Sequence, residues 1–191
     1  GMGKTEEDRL RAASYEARRR AGDLGAAAST DDYLAALGLH AIPSLATADD
    51  IPRLAQMAGK TNQFNATTIR RTEDDFRALL ADSRRKVFVF RASDRFGDQG
   101  LVCYIVVDVP ARRITDFVMS CRAMGRTLEH FAFRHVCDAL GFVPEVDFVQ
   151  TPKNSPFGEF LGSNMLGRTF YCCFLASAFS LACCFSACLR S

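Results

Sequence analysis

Neither sign of charge is in excess in this chain: 24 Lys and Arg stand against 22 Asp and Glu. That balance removes the basic surplus with which a domain captures a phosphodiester backbone, so nucleic acid is not expected as a partner. An apolar run near the start is also missing. Gly1 before Met2 looks like an expression remnant, and Lys4 to Arg20 reads as a charged helix without the apolar stretch of a secretory signal, so a cytoplasmic setting is expected. Metal-site spacing is absent too. Of eight cysteines no two stand as CxxC, and five (Cys172, Cys173, Cys183, Cys184 and Cys188) crowd into the last twenty residues, while His40, His130 and His135 lie far upstream. Tetrahedral zinc sites want two close ligand pairs with a spacer, so buried free thiols are expected rather than a metal. What the 191 residues do have is 48% hydrophobic content. A chain of that size buries roughly 70% of its unfolded surface, enough for one packed domain with an N-terminal extension.

The apolar periodicity changes once along the chain. Residues 5 to 21 carry a thin helical stripe of Leu10, Ala13, Ala17 and Ala21 among arginines, and the small-residue run from Ala21 to Ser29 behaves as a linker. Three hydroxyl N-caps with a carboxylate three residues on follow: Ser29 with Asp32, Thr47 with Asp50, and Thr72 with Asp75. They predict helices over 30–37, 48–58 and 73–81. The runs 86–92 and 101–109 are then β-branched and aromatic, and predict a hairpin closed by the loop SDRFGDQG. A third strand over 113–121 alternates, with Ile114, Asp116, Val118 and Ser120 on one face and Thr115, Phe117, Met119 and Cys121 on the other. Leu128, Phe131, Ala132, His135, Val136, Ala139 and Leu140 recur at helical spacing up to Gly141, and a strand is expected over 145–150. Strand, loop, helix and strand make a βαβ unit whose loop reads RAMGR.

Three polar stretches stand out against that framework. In KTNQFNATT, residues 60–68, seven of nine side chains are uncharged polar or ammonium, with no Gly or Pro to make a plain turn. Asn62, Gln63 and Asn65 suit recognition of amides and hydroxyls, or alternatively cap helices and satisfy buried backbone; Lys60 can meet a phosphate or solvent. The RAMGR loop, with Arg122, Gly125 and Arg126, leads into a helix N-terminus, which is an anion site by construction or else a structural turn. In DRFGDQG, the two aspartates and Arg95 can clamp one another. Cys121, at the end of a strand beside Arg122, is the candidate nucleophile, with a buried small hydrophobe as the other reading. Glu129 and His130 follow as candidate bases, and His135 on the apolar stripe is expected in the core.

In their order, KTNQFN, DRFGDQG, FVMSCRAMGR and TPKNSP resemble the C-terminal acyltransferase-like region of the FkbH-like family, over about residues 6 to 161. The resemblance implies an α/β fold of GNAT-like acyltransferase type, a central mixed sheet flanked by helices, with residues 1–28 as an N-terminal linker helix and 29–191 as the domain. It implies binding of phosphopantetheine, carrier-bound or as coenzyme A, during glyceryl transfer to an acyl carrier protein for polyketide extender units. Arg122, Gly125 and Thr127 fall where that fold's R/Q-x-x-G-x-G/A phosphate loop would be, with Thr127 in place of the last small residue and Arg126 beside it. The resemblance places Lys60, Asn62, Gln63 and Asn65 on the acceptor side of the cleft, and Asn154 of TPKNSP is a further substrate-binding candidate. The family's other half is a HAD-type phosphatase domain with a DxDx[TV] motif. No such motif occurs in this sequence, so the chain reads as the second half alone, with that domain as a missing partner. A non-catalytic carrier-docking module and an independent acetyl-CoA-dependent N-acetyltransferase are the alternative functions.

Residues 162–191 depart from the family. Thr169 to Leu189 is a run of 21 uncharged residues. It reads as a buried strand hairpin, as altered sequence or, least in keeping with its Ser and Cys content, as a membrane anchor.

Overall fold

The computed structural model of the chain describes residues 38–95 and 97–164. The expected helices over 5–21 and 30–37, the linker and the uncharged C-terminal run lie outside them. Among the described residues five strands form one mixed sheet in the order β1-β2-β3-β4-β5. They are β1 (His40–Leu45), β2 (Arg85–Asp94), β3 (Gly97–Asp108), β4 (Arg113–Met119) and β5 (Glu145–Val146). The first four pair antiparallel, and β4 pairs with β5 in parallel. Among the described residues four α-helices flank the sheet: α1 (Ile51–Lys60), α2 (Glu73–Ala81), α3 (Leu128–Leu140) and α4 (Ser155–Asn164). This is the α/β architecture of a central mixed sheet covered by helices that the sequence leads one to expect.

Local chemistry places the helices where the sequence has them. Thr72 caps α2 by accepting from the Asp75 amide at 3.2 Å, while the Asp75 carboxylate accepts from the Thr72 amide at 2.7 Å, a reciprocal box that satisfies two otherwise orphaned donors. Thr47 and Asp50 form the same box ahead of a 3-10 turn that runs into α1. Gly141 ends α3 at φ 72°, in the left-handed conformation that a side chain resists.

Period-two alternation divides the core between the two faces of the sheet. Along β2, Val87 and Val89 pack with Ile51, Leu54 and Met57 of α1 and Phe76 of α2, while Phe88 and Phe90 pack with Leu128, Ala132 and Val136 of α3 and Phe157 of α4. Phe64, Phe117, Phe157 and Phe160 meet edge-on or tilted at centroid separations of 4.8 to 5.8 Å. Each such pair adds about 0.5–1.5 kcal/mol beyond area burial, which fastens α4 to the sheet.

Four expectations are corrected. SDRFGDQG is not a long loop: β2 runs on to Asp94 and β3 begins at Gly97. The alternation predicted for β4 breaks in its middle. Asp116 faces Val106 and Ile114 faces Val107, so Thr115 is an extra residue, and Ile114 joins Phe117 and Met119 in one core while Val118 joins the other. The last strand pairs only through Arg113 with Glu145 and Ile114 with Val146. Beyond that the chain stays bonded, with the Asp147 amide donating to Ile114 and the Val149 amide to Ala66. His135, expected in the core, is half-buried against the rings of Phe88, Phe90 and Phe131, and Phe131 itself is 42% exposed.

Candidate functional site at the carboxyl end of β4

Where parallel strands part, the backbone ends of an α/β sheet open a crevice, and ligands bind outside the carboxyl ends of the strands. Among the described residues β4 and β5 are the parallel pair, and they part after two residues. The segment 64–66 enters the gap. The Ala66 amide donates to Phe117 O at 3.0 Å, the Met119 amide to Phe64 O at 2.9 Å and, from the far side, the Val149 amide to Ala66 O at 2.8 Å. KTNQFN therefore lies against the last residues of β4, and Cys121 follows two positions after Met119. The polar stretches singled out in the sequence converge on one end of one strand.

Their side chains divide sharply. Asn65 and Asn154 are 1% and 0% exposed. Asn154 donates to Asn65 O at 3.0 Å and to Val149 O at 2.9 Å, and its carbonyl accepts from the Thr151 amide at 2.7 Å. Asn65 donates to Thr61 O and accepts from the Thr68 amide. Both amides hold backbone, and neither faces outward to a substrate; the capping reading describes them. Asn62 accepts from Arg70, whose guanidinium also donates to the carbonyls of Gly59 and Thr61 at the end of α1. Lys60 and Gln63 are exposed.

The loop between β4 and α3 begins with a 3-10 turn, Cys121–Ala123, and ends with Gly125 at φ 70° and Thr127 at φ 59°. Left-handed backbone is ordinary for Gly125 but costs about 1–3 kcal/mol for a β-branched residue, so the surroundings must hold Thr127 there. Its hydroxyl turns back to Arg126 O at 2.7 Å and does not cap α3. The first intrahelical bond runs from the Phe131 amide to Thr127 O, so the amides of Leu128, Glu129 and His130 precede the helical ladder. Cys121, Gly125 and Thr127 are exposed, and a side chain added at Gly125 would meet nothing within 4 Å. Amides that open a helix can receive an anion, which would approach from the exposed side of this loop. Arg126 does not line that side: its side chain is 8% exposed and pairs with Asp94, 2% exposed, at 2.8 Å. Arg122 donates to Gln99 O.

Of the candidate bases, the Glu129 side chain is 13% exposed, with Oε1 3.9 Å from His130 Nδ1. Its Oε2 is buried and has no hydrogen-bond partner among the described residues. The His130 ring stands edge-on to Phe160 at 5.2 Å. Cys121 is exposed. Burial pushes Cys103 well above its usual range, with the charge of Glu129 adding, and pushes Cys137 up to about 11, so neither of those two supplies a thiolate near neutral pH.

Sequence reasoning missed the partners. The sequence places Asp94 and Gln99 in a loop, with Asp94 clamping Arg95; the structure places them at the ends of two strands, with Asp94 holding Arg126, and polar side chains at such ends are a signal that something charged faces them. Also missed was the pair of Arg71 with Asp116, bonded twice at 2.8 and 2.7 Å with Asp116 1% exposed; an aspartate inside an apolar strand is the corresponding signal. Among the described residues no group of three or more His, Cys, Asp or Glu is placed to hold a metal ion, and no helix is long and apolar enough to cross a membrane.

No family model matches the chain, and no curated protein matches it. Solved structures that are similar to it include the ribosomal-protein-S18-alanine N-acetyltransferase from Escherichia coli, at 12% identity and TM-score 0.46 over 65% of this chain and 76% of that one. A possible acetyltransferase from Clostridium difficile 630 is 15% identical, with TM-score 0.46 over 74% of this chain and 98% of that one. A putative acetyltransferase from Agrobacterium tumefaciens is 16% identical, with TM-score 0.44 over 68% and 96%.

Proposed function

We propose that this chain is an acyltransferase-like domain of the GNAT type that holds a phosphopantetheine-linked thiol, borne by an acyl carrier protein or by coenzyme A, at the carboxyl end of β4. The observation that carries the reading is the loop 121–127: exposed at Cys121, Gly125 and Thr127, left-handed at the last two, and ending on the amides that open α3 beside the point where β4 and β5 part. When bound, the group supplies an acyl carbon activated as a thioester. The chain's own residues then divide the work. Backbone amides at 125–130 hold the phosphate, Gln63 and Lys60 face the incoming arm or its carrier, and Glu129 with His130 accepts a proton from the attacking group. Cys121 is the group placed to carry an acyl unit in transit.

The test is titration with a holo carrier protein, with its apo form and with coenzyme A. At least tenfold tighter binding of the holo form is expected, since charge-assisted hydrogen bonds contribute about 1.5–3 kcal/mol each. Gly125→Asp puts a carboxylate at the phosphate position and abolishes that preference. Equal affinity for holo and apo carrier, together with no binding of coenzyme A, overturns the reading. An acyl adduct at Cys121 by intact-mass measurement assigns the nucleophile.

A further inference from the structure

Beneath the loop mouth lies a cluster with no role in that reading so far. Gln99 is an extra residue in β3: Ala92 faces Gly100 and Ser93 faces Asp98, so Gln99 has no opposite number on β2. Bulges re-aim a side chain, and Gly100, at φ 63°, supplies the backbone freedom that this one needs. The Gln99 side chain, buried, turns inward and donates through Nε2 to Asp94 Oδ2, while the main-chain carbonyl of Gln99 accepts from Arg122. Asp94 Oδ2 also receives Arg126 Nη1 at 2.8 Å. Both arginines of RAMGR are thus tied from below, one to the backbone and one to the carboxylate of the same hairpin end. Arg126 is the residue between Gly125 and Thr127, so its side chain is a strut that pins the middle of the left-handed stretch. A β-branched residue at φ 59° relaxes to ordinary backbone when nothing holds it, and the amides on either side turn with it.

We infer that Asp94 and Gln99 are positioning residues: through Arg126 and Arg122 they fix the curvature of the 122–127 loop that receives the phosphate, without touching it. This rests on the phosphopantetheine reading above. It also changes the part given to Arg126, whose charge is spent on Asp94 and not on the ligand.

The experiment compares 4′-phosphopantetheine with pantetheine on the full chain by calorimetry, because their affinity ratio isolates the phosphate. The wild-type ratio is expected to be at least tenfold. Asp94→Asn, which keeps the shape and loses the charge, and Gln99→Leu, which loses one contact and keeps the ion pair, are each expected to cut the ratio below about threefold and to leave pantetheine affinity unchanged. Arg126→Lys, which restores a cation to Asp94, is expected to keep more than half of the ratio. Should Asp94→Asn not fold, Gln99→Leu reads the same quantity. A wild-type ratio near one sinks the phosphate reading and this inference with it. A wild-type ratio of ten that persists in both Asp94→Asn and Gln99→Leu leaves the reading standing and overturns the positioning role alone, as does an equal loss of pantetheine affinity in the two variants.

Discussion

Two buried polar clusters border the end of β4, and they are built from opposite materials. On the β5 side, Asn65 and Asn154 form a neutral knot in which both side-chain amides donate to and accept from backbone. On the β3 side, Asp94, Gln99 and the two arginines form a charged clamp, with a carboxylate 2% exposed and a guanidinium 8% exposed. Neutral amides that saturate each other's surroundings cost little to bury and lock three chain segments in register. A buried ion pair is different: desolvation offsets most of its attraction, so its worth for stability is small while the penalty for breaking it is large. The knot secures the fold, and the clamp shapes the loop above it.

The largest effect follows from breaking the clamp on one side only. Arg126→Met takes the Arg126 guanidinium away from the buried Asp94 carboxylate and is expected to cost about 3–5 kcal/mol in urea unfolding, whereas Asp94→Leu combined with Arg126→Met is expected to cost less than half of that. If the double variant is as unstable as the single, the pair is a stabilising element and the contrast with the knot disappears. The knot comes next. Asn154→Leu strands the carbonyls of Asn65 and Val149 and the amide of Thr151, and about 2–4 kcal/mol of destabilisation is expected, with no rescue from a second substitution at Asn65. A loss below about 1 kcal/mol means that water replaces the amide and the knot is not sealed.

The smallest effect sharpens the comparison with a half-exposed cluster, in which Arg113 bonds Glu145 at 3.0 Å and Asp147 at 3.1 Å. Burial holds the Asp147 carboxyl above its ordinary 3.8, against the pull of Arg113. Between 3.8 and that raised value the folded chain keeps a proton that the unfolded chain has released, so this group's contribution to stability falls as pH rises through the window and then levels off. Asp147→Asn removes the titration. Urea midpoints taken across the acidic range are expected to show the variant gaining on the wild type as pH rises; a gain by the wild type instead means that Arg113 outweighs burial.

Much of the framework was legible from local patterns. The boxes at Thr47 and Thr72, the stop at Gly141 and the runs of β2 and β3 depend on residues within four positions of one another, and each is found where the sequence has it. The face assigned to Ile114 was not legible, because the bulge at Thr115 is set by pairing with β3 and not by β4 itself. Among the site candidates, KTNQFN and RAMGR were found by their polarity and by the strand and helix that flank them, but what each side chain does was not. Asn65 meets Asn154 across 89 positions of sequence, and Arg126 meets Asp94 across 32.

The sequence by itself determined the elements of this protein, since hydrogen bonding and hydrophobic periodicity over a few residues decide helix from strand, and it determined that its polar motifs are too concentrated to be plain turns. Only the tertiary structure decided which polar groups face inward. An asparagine or arginine carries the same chemistry in either direction, and desolvation is tolerated only where distant segments bring it a partner. That is why Asn65, Asn154 and Arg126 are interior struts here, while Gln63, Gly125, Thr127 and Cys121, drawn from the same motifs, are left facing solvent at the end of β4.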